Sequence, residues 1–195
     1  SREMRAFTTY IAFLSQGIPV GSTLQGAATV QSKMPNRRAD PVAGAAVYAA
    51  KCAVCHGADG LGQRVGQKGD AQGYTFPPLW GPDSFNTGAG MNRLVMATHF
   101  VKHNMPMGAS HDATQLTDDE AYDVSAFMVS QPRPVKANLE VDFPARWNKP
   151  VDAAFPPYLL GTPDQHKYGP FPPLAEKQKQ MAQQLKDQAA KERAA

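Results

Sequence analysis

Apolar residues recur at helical spacing in four separate stretches of this chain, and the segments between them are rich in glycine and proline. Met4, Phe7, Ile11 and Leu14 fall three and four apart, with Arg5, Thr8 and Thr9 between them. That spacing predicts one face of an amphipathic helix. Residues 42–51 predict a second, short helix with Val47 and Tyr48 on its buried side and Gly44 where another helix can approach closely. Helical spacing returns over 91–103 through Met91, Leu94, Val95 and Phe100. Thr117 and Glu120 then form a capping box ahead of a helix that ends near Gln131. Residues 57–90 are punctuated by glycine and proline and predict loop.

The rest of the chain has a different character. Residues 132–173 hold ten prolines and little periodicity, which predicts an extended wrap over the folded part. Residues 174–195 are rich in Lys, Gln and Ala and predict a helical tail with Leu174, Met181 and Leu185 as a thin apolar stripe. Such a tail is either a solvated helix or a docking element. At the other end, the Met4–Leu14 stretch is periodic and Glu3 spoils a basic start, so it reads as a folded helix and not as a secretion signal. An export signal is expected to have been removed already.

Two helices share a pattern. Residues 2–16 close on Ala12-Phe13-Leu14-Ser15-Gln16, and residues 120–131 close on Ala126-Phe127-Met128-Val129-Ser130-Gln131. Coincidence between two short helices is one account. The other is that residues 1–17 are the last helix of an earlier copy of the same domain. The organisation expected is then an N-terminal helix over 1–17, a linker over 18–40, a domain over 41–131, the wrap over 132–173 and the tail over 174–195.

Charge and composition narrow the function classes. A net charge of +3 with scattered basic residues is no nucleic-acid surface, and no apolar run approaches the ~20 residues of a membrane helix. Seventeen prolines and sixteen glycines in 195 residues, only 42% of them hydrophobic, imply much loop around a modest core. A large apolar cofactor would complete such a core.

The chain's two cysteines lie in Cys52-Ala53-Val54-Cys55-His56, the pattern of covalent haem attachment. Each thiol adds to one haem vinyl group, and the histidine is then held at the iron as an axial ligand. A structural zinc site usually takes four Cys or His ligands, and His56 is too close to Cys55 to turn onto the same ion. A thioredoxin-like pair needs a βαβ setting that is absent around the motif, and a plain disulfide leaves the histidine unexplained. One covalent haem c is therefore expected. The order helix, haem motif, long loops, helix, loop, helix is that of an all-α cytochrome c, here with a Pro-rich wrap and a helical tail.

An iron held by His56 needs a sixth ligand or an open position. Electron transfer favours a fixed six-coordinate shell, and a methionine thioether raises the reduction potential. Met105 follows the 91–103 helix and precedes Pro106, which pins the loop that presents it; Met107 could substitute. His99, His103 and His111 lie near the same stretch and would give bis-histidine ligation, and Lys102 would bind only after losing a proton. A ligating histidine usually donates its other ring hydrogen to a carbonyl or carboxylate, and Pro77 is placed in sequence to accept it. Leu79 would pack on the haem, and Trp80 is either an apolar wall or a donor to a propionate.

These residues resemble class I cytochromes c. Pro78-Leu79-Trp80-Gly81-Pro82-Asp83-Ser84-Phe85-Asn86, Gly88-Ala89-Gly90-Met91, Asn104-Met105-Pro106, Ser130-Gln131-Pro132-Arg133-Pro134 and His166-Lys167-Tyr168-Gly169-Pro170-Phe171 resemble more specifically the second haem domain of thiosulfate dehydrogenases. The likeness covers about residues 2–173. It implies that Cys52, Cys55 and His56 hold a relay haem, with Met105 distal. Some members carry a lysine before that methionine, and the residue here is Asn104, which favours His/Met ligation. The family's catalytic haem, with its cysteine ligand, has no counterpart in these residues. The resemblance thus implies an electron-transfer protein working in the periplasm with redox protein partners, a second cytochrome domain among them. It leaves open whether the chain is the relay half of a dihaem enzyme interconverting thiosulfate and tetrathionate, or a haem-bearing structural subunit.

Overall fold

The computed structural model describes residues 1–22, 31–67, 73–158 and 160–194. Its helices are α1 (Arg2–Leu14), α2 (Pro41–Lys51), α3 (Ala53–His56), α4 (Leu94–Asn104), α5 (Asp118–Ser130), α6 (Pro163–Tyr168) and α7 (Pro172–Ala194). The core forms where α2 crosses α5 and α4 packs beside them, with Tyr48, Leu94, Ala97, Tyr122, Val124, Ala126 and Met128 buried together. The class is all-α.

Local chemistry explains where these helices begin. The Asp40 carboxylate accepts from the amides of Val42 and Ala43 ahead of Pro41 at the first helical position, the pairing of acidic cap and proline that starts a helix well. At α5 the Thr117 hydroxyl accepts from the Glu120 amide while Glu120 accepts from the Thr117 amide, so the expected capping box is formed. Gly44 is what lets α2 and α5 meet. A Cβ there would stand 1.9 Å from the carbonyl oxygen of Asp123 and 3.0 Å from Cβ of Phe127, so any larger residue forces the helices apart.

Helix α4 is started from outside its own sequence. Its N-cap residue, Arg93, makes no side-chain cap. Instead the carboxylate of Asp152, 2% exposed, accepts from the Val95 amide at 3.0 Å and from Nε of Arg93 at 2.9 Å. The Pro-rich segment thereby places the helix that leads to Met105.

That segment differs from the expected extended wrap. It contains two 3₁₀ turns, Leu139–Val141 and Arg146–Asn148, and the short helix α6. It also contributes Ala153 and Phe171 to the buried set. Residues expected as loop carry a two-strand ribbon, β1 (Gln63–Arg64) antiparallel to β2 (Tyr74–Phe76). Arg64 ties it down by lying over the Tyr74 ring, 4.4 Å from its centroid, and bonding Asp83 at 2.5 Å.

Of the span read as a linker, residues 23–30 lie outside the described residues, and residues 31–40 pack on the domain. Ala39 is buried and its amide donates to the Tyr168 carbonyl at 2.8 Å. Arg37 forks onto Asp119 at 2.6 Å and Asp123 at 2.8 Å, which holds this segment to α5. In α7, Leu174 is buried while Leu185 is exposed, and Gln178 donates to the carbonyls of Trp147 and Lys149. Among the described residues, these anchoring contacts lie in the first half of the tail.

Candidate haem-binding site

The haem motif opens directly out of α2. Cys52 caps α2 and precedes α3, the single turn that carries Cys55 and His56. Gly57, with φ +81°, ends the turn in a conformation that favours glycine. The Tyr48 hydroxyl donates to its carbonyl at 2.6 Å. Nδ1 of His56 lies 2.9 Å from the carbonyl oxygen of Pro77, and the ring is buried. With the Nδ1 proton donated to that carbonyl, Nε2 would be left free to bind a metal.

A cavity of about 290 Å³ opens beside this turn. Cys52, Cys55, His56, Pro77, Leu79 and Met105 all line it, and so does Met107. The remaining wall is largely apolar, including Tyr48, Phe76, Met91, Phe100, Val124 and Met128. Both thiols are free, and burial pushes that of Cys52 up to about 11. An apolar slot with two thiols, one oriented imidazole and a thioether fits a covalent haem c.

The histidine and lysine rivals stand outside the cavity wall. His99 is buried, and its Nδ1 accepts from the Ser32 amide at 2.9 Å. His103 bonds the Ser32 hydroxyl at 3.2 Å, with His111 beside it at 5.3 Å between ring centroids. Burial lowers the pKa of both His99 and His103, assisted at His103 by the neighbouring His111 and Lys102. Lys102 is committed to the Leu116 carbonyl at 2.5 Å and to Asp118 at 3.2 Å. Asn104 donates to the Phe100 carbonyl at 2.8 Å, finishing α4 so that Met105 follows in extended backbone.

Trp80 is buried but is not part of the cavity wall. It packs against Tyr48 at a tilt, 5.0 Å between centroids, and meets Phe127 edge-on at 5.5 Å, with Gly60 so close that a Cβ there would lie 2.1 Å from the indole. Sequence reasoning passed over Met91 and Met128 as wall residues. The signal for Met128 was available, since Val124 and Met128 are four apart and share one face of α5. The role of Asp152 carried no local signal, because its partner Val95 is 57 residues away.

The cytochrome c family pattern matches residues 41–132. Thiosulfate dehydrogenase from Allochromatium vinosum is 50% identical over 127 residues, covering 65% of this chain and 44% of that protein. The thiosulfate dehydrogenase of Stutzerimonas stutzeri is 45% identical over 139 residues, 71% of this chain and 43% of its own length. A solved structure of thiosulfate dehydrogenase TsdBA from Marichromatium purpuratum, as isolated, aligns with a TM-score of 0.59 at 39% identity, covering 71% of this chain and 28% of that one. The chain thus spans less than half the length of these relatives. Among the described residues, no helix is long and apolar enough to cross a membrane. With the attachment motif, the fold and these likenesses together, residues 41–132 form a class I cytochrome c domain, an electron-transfer unit built on a covalent haem c, which resembles the relay domain of thiosulfate dehydrogenases.

Proposed function

We propose that this chain carries electrons through one haem c, held by thioethers to Cys52 and Cys55 and ligated by His56 and Met105. Haem c supplies a one-electron ferric/ferrous couple. The protein's part is to hold the ligands still, so that little reorganises when the charge changes. Pro77 orients His56, and the Asp152 cap together with Asn104 fixes the ends of α4, from which Met105 is presented. The single observation that carries the reading is that Met105 shares an apolar cavity with the attachment motif, while His99, His103 and Lys102 are engaged elsewhere and His111 does not line the cavity.

Met105→Ala should abolish the long-wavelength methionine–iron absorption band of the oxidised holoprotein. Persistence of that band would overturn the assignment and point to Met107, Met91 or Met128. Electron exchange with soluble redox proteins in the periplasm is the setting that the resemblance supports.

The second reading is favoured by α1. It carries the Ala-Phe…Ser-Gln ending of α5, yet none of its residues is buried. On this reading the chain is the relay half of a dihaem thiosulfate dehydrogenase, and α1 completes a preceding cytochrome domain. Intact mass and haem count of the native polypeptide separate the two. One haem on a chain of this length leaves a carrier, and a second, cysteine-ligated haem makes it the relay half of an enzyme.

A further inference from the structure

Arg133 is a half-buried cation among acceptors that carry no net charge. Its guanidinium donates to the carbonyl of Met128 at 2.5 Å and that of Leu79 at 3.3 Å, and lies over the Phe85 ring, 4.4 Å from its centroid. Among the described residues no carboxylate pairs with it. Asp152 lines the same polar cavity of about 380 Å³ but is committed to Arg93 and the Val95 amide. The other charged residue on that cavity is Lys167, a second cation. Burial without a counter-charge pushes the Arg133 pKa down, to about 10, which still leaves it charged at neutral pH.

The position of this charge matters. Leu79 and Met128 are both wall residues of the haem cavity, and Arg133 grips the backbone of each from behind. The charge therefore sits one layer of residues behind the wall of the haem cavity and is partly withdrawn from water. Reduction adds an electron to the haem, so a fixed cation there stabilises the reduced state. Simple capping is the competing account. Met128 lies in the last turn of α5, and an arginine bonding a terminal carbonyl is a common way to finish a helix. Capping alone changes stability and leaves the redox equilibrium where it was.

We propose that Arg133 sets the reduction potential of this cytochrome, holding it higher than the axial ligands alone would. The test uses the haem-loaded full chain in a spectroelectrochemical titration at pH 7, with haem content and melting temperature measured alongside. Arg133→Gln and Arg133→Met should each shift the redox equilibrium several-fold to about tenfold toward the oxidised form, a tenfold change being 59 mV for one electron. Arg133→Lys keeps the charge while losing the fork, so it should retain most of the potential even if it melts earlier.

An unchanged potential in the neutral variants overturns the proposal and leaves a helix cap. An equal fall in the lysine variant and the neutral ones also overturns it, because packing would then be the cause. Should the neutral variants fail to load haem, Val135→Glu decides. That position is 79% exposed and borders the same cavity, so the fold tolerates the change. The added carboxylate should lower the potential, more at low salt than at 1 M, and no change there overturns the assignment.

Discussion

Helices α1 and α5 have similar sequence endings and opposite fates. Each is 13 residues long, and each has a serine or threonine hydroxyl accepting from the amide three residues on. Eight residues of α5 are buried and none of α1 is. Phe7, Tyr10, Ile11, Phe13 and Leu14 are all about half exposed. The difference lies in what is opposite. Helix α5 meets Gly44, which removes a side chain where Asp123 and Phe127 come across, and Arg37 clamps it from a third direction. Periodicity specifies that a helix will have an apolar face. It takes a complementary surface elsewhere to bury that face.

The sharpest way to break this comparison is to take α5's partner away. Gly44→Ala would put a Cβ 1.9 Å from the Asp123 carbonyl. Backbone cannot step aside as a flexible side chain can, so the helices must separate. We expect a loss of about 3 kcal/mol or more, at the upper end for overpacking, read as the shift in a urea unfolding midpoint of the holoprotein. A variant that unfolds within experimental error of the parent would mean that α2 and α5 are not in such close contact. Tyr48 and Val124, on these two helices, both line the haem cavity, so looser haem packing should accompany the loss.

What could be read from the sequence follows the same division. The capping box, the two main core helices and the attachment motif are local patterns, and a chain written in one dimension displays them. Gly44 was legible as a point of close approach because glycine in a helix needs a reason. The long-range contacts were not legible: Asp152 capping α4, Arg37 gripping α5, and Ser32 between His99 and His103. Each joins groups more than 50 residues apart, and nothing in the spacing of either partner signals the other. The same blindness let residues 31–40 read as linker and 132–173 as a mere wrap. Trp80 illustrates a subtler limit. Its position beside Leu79 suggested the haem, but the chain bends at these two residues, and of the two only Leu79 lines the cavity.

A smaller effect tests the cap of α5. Hydrogen bonding to Lys51 and to the Thr117 amide holds the Glu120 carboxyl below its ordinary value of 4.5. A carboxylate whose folded pKa is depressed contributes stability above its unfolded pKa and loses it as pH falls through the folded value. Glu120→Gln should therefore cost about 1 kcal/mol at pH 7, the usual worth of a cap with a partly exposed ion pair. The gap between variant and parent should close as pH falls below about 4.5. A gap that persists at pH 3 would assign the effect to packing and not to charge. Because Lys51 also borders the haem cavity, the haem spectrum should stay constant over the same range if the effect is confined to the cap.

The smallest expected effect belongs to α1, and its smallness is informative. Phe7→Ser with Ile11→Ser removes the middle of its apolar face, and serine stands close to both residues in helix propensity, so the helix itself is little penalised. With no partner to lose, the urea midpoint of this chain should stay within about 0.5 kcal/mol of the parent, the range for exposed substitutions. A loss beyond 1 kcal/mol would show that α1 packs on the domain after all, and the contrast with α5 would collapse. The same pair of substitutions can also be carried in the native polypeptide. If α1 there completes a preceding cytochrome domain, these two residues occupy the place that buried α5 residues occupy here. Their removal should then cost several kcal/mol, as large-to-small changes in a core do. Indifference in both settings would leave α1 a helix with an apolar face that no partner covers, and the reading of this chain as half of a pair would lose its only internal support.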